Sequence, residues 1–355
     1  MVDSLMKFWC GKNVLVTGHT GFKGSWLCLW LQSLGVNCVG FSLEPPSQPN
    51  LFGITQIGEK MKSIIGDIRN FELLQRTLQK YQPEIIIHMA AQPLVNFSYQ
   101  EPLITYSTNI IGTTNLLEAA RFTDSVKSIV NVTSDKCYQN QELNRGYHEE
   151  DTLGGYDPYS SSKACVELIT QAYSYSYLKI RGINIATARA GNVIGGGDWG
   201  QNRLVPDVVN ACIKQHNISL RYPNALRPWQ HVLEPLSAYL MLAKQLYESP
   251  AAYTQAWNFG PGEDQDKTVS WLTDTFIKYW GSGIKWIQNS SDLKHETNFL
   301  RLNSTKAKQS LGWKSQWDIE TALVKTVAWY QSYFKEENMQ KITLAQIDEF
   351  QKTLA

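Results

Sequence analysis

Five side chains in two short stretches could do chemistry together. Ser134-Asp135-Lys136 sets an alcohol, a carboxyl and an amine in a row at the end of an apolar run, Ser128-Ile129-Val130-Asn131-Val132-Thr133. Tyr159 and Lys163 follow at i and i+4, which puts a phenol and an amine on one helix face. A free phenol ionises near ~10. A neighbouring ammonium favours the phenolate, so Tyr159 can serve as a base near neutral pH. A site holding all five groups can oxidise an alcohol and then eliminate water beside the resulting ketone.

The surrounding pattern supplies elements to position them. Asn13–Thr17, Cys38–Leu43, Ser63–Asp67, Glu84–His88, Ile129–Thr133 and Asn184–Ala188 are short apolar runs. Helical spacing lies between them, as over Phe71–Tyr81 and Gly112–Phe122. Near-continuous apolar strands alternating with helices predict an α/β, Rossmann-type doubly wound parallel sheet, with a smaller C-terminal substrate-binding lobe. The expected division gives residues 1–190 and 230–262 to the dinucleotide-binding domain, and 191–229 and 263–355 to the lobe. Residues 191–203 read as a loop, and Trp257–Gly260 as a return to the sheet.

Gly18, Gly21 and Gly24 form a GxxGxxG turn between the first strand and the first helix, where backbone N–H groups can approach a pyrophosphate. Asp67-Ile68 ends the third strand, where the carboxylate could accept from an adenine amino group while Ile68 packs on the ring; the alternative for Asp67 is a helix N-cap. Ala90-Ala91-Gln92 follows the fourth, where small residues let a ribose lie close. The acidic residue that grips the ribose of NAD should end the second strand. Ser42 stands there, with Glu44 two residues on and no arginine for a 2′-phosphate. NAD is expected over NADP, held weakly.

A net charge of +1, 18% charged and 43% hydrophobic residues over 355 positions give no basis for nucleic-acid binding. The first seven residues make a poor signal peptide, and no stretch is long enough to span a bilayer. Six cysteines without a CxxC pair suggest reduced thiols, no metal site and a cytoplasmic protein.

Longer strings are more specific than the turn. They are Gly18–Trp26 (GHTGFKGSW), Met89–Val95 (MAAQPLV), Thr133–Tyr138 (TSDKCY), Gly191–Trp199 (GNVIGGGDW) and Arg227–Pro235 (RPWQHVLEP). On these, and from Gly18 to Trp313, the chain resembles the extended short-chain dehydrogenase/reductase family, and within it the CDP-glucose 4,6-dehydratases.

The resemblance implies NAD as cofactor and CDP-glucose as substrate, with a product that feeds deoxyhexoses for bacterial surface polysaccharides. It implies cofactor contacts from Gly18, Thr20, Gly21, Phe22, Gly24, Asp67, Ile68, Ala90, Ala91, Gln92, Asn109, Tyr159 and Lys163. It implies catalysis by Ser134, Asp135, Lys136, Tyr159 and Lys163. Ser134, Asn192, Arg203 and Arg227 would hold substrate, and His231 is expected to be structural. Helices near Ile104–Ala120 and Tyr159–Tyr177 would pair across a two-fold axis as the four-helix bundle of a homodimer.

Many relatives carry Asp-Glu where this chain has Asp135-Lys136. An ammonium cannot accept a proton. Lys136 is therefore either a neutral base, favoured here, or an electrostatic stabiliser of the enolate.

Overall fold

The computed structural model describes residues 2–262, 265–288 and 299–354. Seven parallel strands form the central sheet: β1 (Asn13–Thr17), β2 (Asn37–Ser42), β3 (Lys62–Ile65), β4 (Ile85–His88), β5 (Ser128–Val132), β6 (Asn184–Ala190) and β7 (Ala256–Phe259). Their spatial order is β7-β6-β5-β4-β1-β2-β3. The chain winds outward from β1 to β3, crosses back to β4, and winds outward again. The reversal between β1 and β4 opens a crevice at their C-terminal ends, where ligands of such sheets bind.

Strand periodicity decides which side chain meets which layer of helices. Leu15, Ile86 and Ile129 point to one face and join Leu74 and Leu78 of α2 (Phe71–Tyr81) and Leu116 and Leu117 of α3 (Gly112–Arg121). Val14, Val16, Ile85, Ile87 and Val130 point to the other. There they meet Trp26 and Trp30 of α1 (Phe22–Ser33) and Leu236 and Leu240 of α5 (Leu233–Glu248). The helix between these two in the chain, α4 (Pro158–Tyr173), starts with Asp157 as N-cap, its carboxylate accepting from Ser160 N–H, and with proline in the first turn.

Two details differ from the expected pattern. β3 ends at Ile65, so Gly66-Asp67 belong to the connection. Within residues 191–203, Val193–Ile194 pair with Gln230–His231 in a short parallel ladder. The stretch after Ala190 is thus stitched to the chain just before α5.

The C-terminal helices α6 (Ile319–Phe334) and α7 (Met339–Thr353) share the core beneath α1. Phe350 packs edge-on to Trp30 at 5.8 Å. The lobe therefore has no separate core of its own at this end. All six cysteines are free thiols, and no helix among the described residues is long and apolar enough to cross a membrane.

Candidate active site

The glycine turn is shaped by close approach. Gly18 has φ +77°, and a Cβ there would stand 2.9 Å from Ala90 N. A Cβ on Gly24 would stand 2.1 Å from Gly18 O. Only hydrogen fits, so α1 packs directly onto the turn. No side chain caps α1 at Gly21, which leaves its first-turn amides for a ligand. This uncapped helix start at the sheet crevice suits a dinucleotide pyrophosphate.

The ends of the neighbouring strands are pinned to the same turn. Thr17 Oγ1 accepts from Met89 N and Ala90 N, both at 3.1 Å, and donates to His88 Nδ1 at 2.7 Å. His88 Nε2 then donates to Thr113 Oγ1 at 3.0 Å. Burial pushes His88 down to about 3, so the ring is neutral. Thr20 Oγ1 donates to Leu43 O and pairs with Ser42 Oγ at 2.9 Å, fixing the end of β2.

Three cofactor candidates are committed to protein partners. Asn109 Oδ1 accepts from Gln92 N at 2.8 Å, while its amide donates to Gln92 O and Ser162 Oγ. Its side chain ties the end of β4 to the helix that carries Tyr159 and Lys163, and has no amide proton left for a ligand. Gln92 is likewise occupied with Leu94 and Thr105. Ile68 is 5% exposed, its Cγ2 standing 2.5 Å from where a Cβ on Gly112 would lie. Its side chain packs into the interior against Gly112 rather than offering an open face to a ring.

Asp67 is not a helix N-cap. Asn70 caps α2, and Asp67 takes the Arg69 guanidinium instead, which holds its carboxyl below the usual range.

The catalytic candidates meet at the C-terminal end of β5. Ser134 caps a tight turn over Asp135–Cys137 by accepting from Lys136 N. Its hydroxyl donates to Asp135 Oδ1 at 3.0 Å and stands close enough to the Tyr159 hydroxyl to favour the phenolate. Lys136 Nζ lies 3.9 Å from Asp135 Oδ1, with its side chain 29% exposed. Asp135 is 2% exposed, and its Oδ2 has no protein partner. Gly191 packs on that oxygen and on Pro228, since a Cβ there would lie 3.2 Å and 3.0 Å from them. Three of the long sequence strings thus converge on one carboxyl.

Burial pushes Tyr159 up to about 12, opposed by the nearby Ser134 hydroxyl. Burial brings Lys163 down to about 8; its amine donates to Val132 O at 3.3 Å. Arg203 sits in an ion pair with Asp198 at 3.0 Å, within electrostatic reach of Tyr159. Asn192 is held through its carbonyl by Gln230 N–H. Arg227 is buried one residue from Pro228, with one guanidinium nitrogen on Leu226 O. His231 is buried and neutral, edge-on to Trp26 and Trp317, as expected of a structural residue.

Sequence reading passed over Lys23. It lies within the quoted glycine string, and its charge faces Arg203, Asp135, Lys163 and Asp198; burial lowers it to about 8. Glu167 was also passed over, although it continues the i+4 spacing of Tyr159 and Lys163.

A nucleotide crevice with a Tyr–Lys pair beside an acid–amine turn defines a Rossmann-type enzyme site. The family model described as GDP-mannose 4,6 dehydratase matches residues 15–326, and the chain belongs to that family. It is 45% identical to the CDP-glucose 4,6-dehydratase of Salmonella typhimurium, over 96% of this chain and 95% of that one. Among solved structures, a dTDP-glucose 4,6-dehydratase from Streptomyces venezuelae with NAD bound has the same fold. Its TM-score is 0.78 at 22% identity, covering 92% of this chain and 99% of that one. A Thermotoga maritima UDP-glucose 4-epimerase is similar at TM-score 0.80 and 22% identity, covering 91% of this chain and 99% of that one.

Proposed function

We propose that this chain is an NAD-dependent CDP-glucose 4,6-dehydratase, converting CDP-D-glucose to CDP-4-dehydro-6-deoxy-D-glucose and water. The observation that carries the reading is the Ser134–Asp135 hydrogen bond with Tyr159 next to it and Lys136 Nζ 3.9 Å from the Asp135 carboxylate. The near-full-length similarity to a CDP-glucose 4,6-dehydratase supports the nucleotide.

NAD would lie across Gly18, Thr20, Gly21, Phe22 and Gly24, with adenine near Asp67-Ile68, ribose near Ala90-Ala91, and the nicotinamide ribose on Lys163. Bound there, NAD would supply a reversible two-electron acceptor for hydride beside Tyr159, so that oxidation and reduction of the same sugar leave no net redox change.

The chain's own residues handle the protons. Tyr159 takes the proton of the 4-hydroxyl, and Ser134 donates a hydrogen bond to the same oxygen. Lys163, as an ammonium, holds the phenolate. The 4-ketone acidifies the C5 hydrogen. Lys136, as a neutral amine, removes that proton while Asp135 donates from Oδ2 to the departing 6-hydroxyl. Lys136 Nζ lies 3.9 Å from the Asp135 carboxylate, so the two groups can reach adjacent carbons of one sugar. Arg203, Arg227 and Asn192 bind the nucleotide diphosphate and sugar; arginine suits the diphosphate through charge-assisted, bidentate bonds.

An epimerase on this fold needs only abstraction and return of hydride. A carboxyl and an amine at 135 and 136 would then have no task.

We also infer a homodimer working in the cytoplasm and feeding deoxyhexose synthesis for a surface polysaccharide such as O-antigen. Support for pairing comes from large apolar side chains left exposed along 102–121 and 158–178: Leu103, Ile111, Leu168 and Tyr175 are 82%, 52%, 55% and 69% exposed.

Proton NMR of the sugar after incubation with CDP-glucose and NAD tests the reading. A new C6 methyl doublet, loss of the C6 methylene and no net NADH are expected. A methyl product only from another nucleotide sugar would discard CDP. An intact methylene with inverted stereochemistry would discard the dehydratase.

A further inference from the structure

Beneath the catalytic groups lies a buried ion pair that the proposed chemistry does not use. Glu167 and Arg189 are 5% and 3% exposed. Glu167 sits on α4 at i+4 from Lys163 and i+8 from Tyr159, so the three share a face. Its carboxylate accepts four hydrogen bonds: from Thr133 Oγ1 at 2.5 Å, Thr187 Oγ1 at 2.6 Å, Arg189 Nε at 2.9 Å and Arg189 Nη2 at 2.8 Å. Arg189 Nη1 donates onward to the Tyr138 hydroxyl at 2.7 Å and Glu149 O at 3.0 Å. Tyr138 in turn donates to Asn258 Oδ1 on β7.

Thr133 is the residue before Ser134, and Tyr138 the residue after the Asp135–Cys137 turn. The pair therefore grips both flanks of that turn, Glu167 from the helix that carries Tyr159 and Lys163 and Arg189 from β6. We propose that Glu167 and Arg189 are positioning residues. They hold the Ser134-Asp135-Lys136 turn in register with Tyr159 and Lys163, and Glu167 is the countercharge of Lys163. What the set does rests on the dehydratase reading; how it is held does not.

Stability alone gives little reason for such a pair. Buried ion pairs roughly break even against apolar residues of the same size. A misplacement of about 1 Å in a catalytic set, by contrast, costs on the order of 100-fold in rate.

The groups around Lys163 assign its countercharge. Glu167 faces it from its own helix and raises its pKa, as does Cys137 from the turn. Burial keeps the Cys137 thiol well above its ordinary value, hence neutral. His88 on β4 is neutral, and Lys23 on α1 carries the same sign as Lys163. Glu167 is the anion of this group. Removing its charge lowers Lys163 further below 8, so the ammonium is lost at a lower pH.

The test uses Glu167→Gln and Thr133→Val, with Glu167→Gln/Arg189→Met as the form that leaves no buried guanidinium unpaired. Lysine labelled with 13C at Cε, with the Lys163 signal assigned by Lys163→Met, is titrated by NMR without substrate. The Lys163 signal is expected to titrate roughly one pH unit lower in the charge-removing variants. The alkaline limb of kcat for CDP-glucose should move with it. Thr133→Val keeps the charge, so its limb should stay while kcat falls at least about tenfold with KM and Tm near the parent's. An unmoved Lys163 titration overturns the countercharge, and a parent-like kcat in Thr133→Val overturns the positioning. A parent that makes no methyl product sinks the dehydratase reading instead, and leaves the titration to be judged by itself.

Discussion

At the residue scale, Asp135 and Lys136 are the couple that the proposed elimination needs, one giving a proton to the departing 6-hydroxyl and the other taking one from C5. Asp135 is 2% exposed, whereas the Lys136 side chain, its Nζ 3.9 Å from the carboxylate, is 29% exposed and open to a substrate. Lys136→Met should cut dehydration at least ~100-fold while leaving C4 oxidation, visible as reduced NAD accumulating with CDP-glucose. Lys136→Glu should retain dehydration within about tenfold. Dehydration at the parent rate in Lys136→Met would remove Lys136 from the chemistry. The five catalytic candidates were legible because their spacing is local. The tasks of Asn109 and Glu167 were not, since their partners lie 17 and 53, and 34, 20 and 22 positions away.

At the element scale, the β1–α1 turn depends on two missing side chains. A Cβ at Gly24 would meet Gly18 O at 2.1 Å, a backbone atom that cannot swing aside. Gly24→Ala must therefore lift the start of α1 off the turn and spoil the amide cradle. NAD affinity is expected to fall at least roughly tenfold, about 1.4 kcal/mol, by titration calorimetry; unchanged affinity would remove the cofactor from this turn. The sheet was readable from its apolar runs, including the return at Trp257, because strands buried on both faces leave a continuous signature. Two features were not. The π-helical turn Ser107–Ile111, which carries Asn109, interrupts an otherwise ordinary helical pattern. The ladder between Val193–Ile194 and Gln230–His231 is two residues long and has no periodicity to detect.

At the scale of the whole molecule, two kinds of surface remain to be matched with partners. The exposed apolar residues of 102–121 and 158–178 predict a particle of twice the 40.3 kDa chain mass by light scattering. Leu168→Glu should shift it toward monomer; a monomeric parent would contradict the pairing. That the C-terminal helices share the main core was not legible, because the meeting of Trp30 with Phe350 joins residues from opposite ends of the chain. The crevice between these layers is where one sugar must be oxidised, dehydrated and reduced without leaving.

That single-site requirement has a direct isotopic consequence. CDP-glucose carrying deuterium at C4 should give a product whose deuterium sits in the C6 methyl group, with one solvent hydrogen incorporated at C5 when the reaction is run in D2O. Deuterium lost from the sugar, or a methylene retained at C6 with the label returned to C4, would contradict the account.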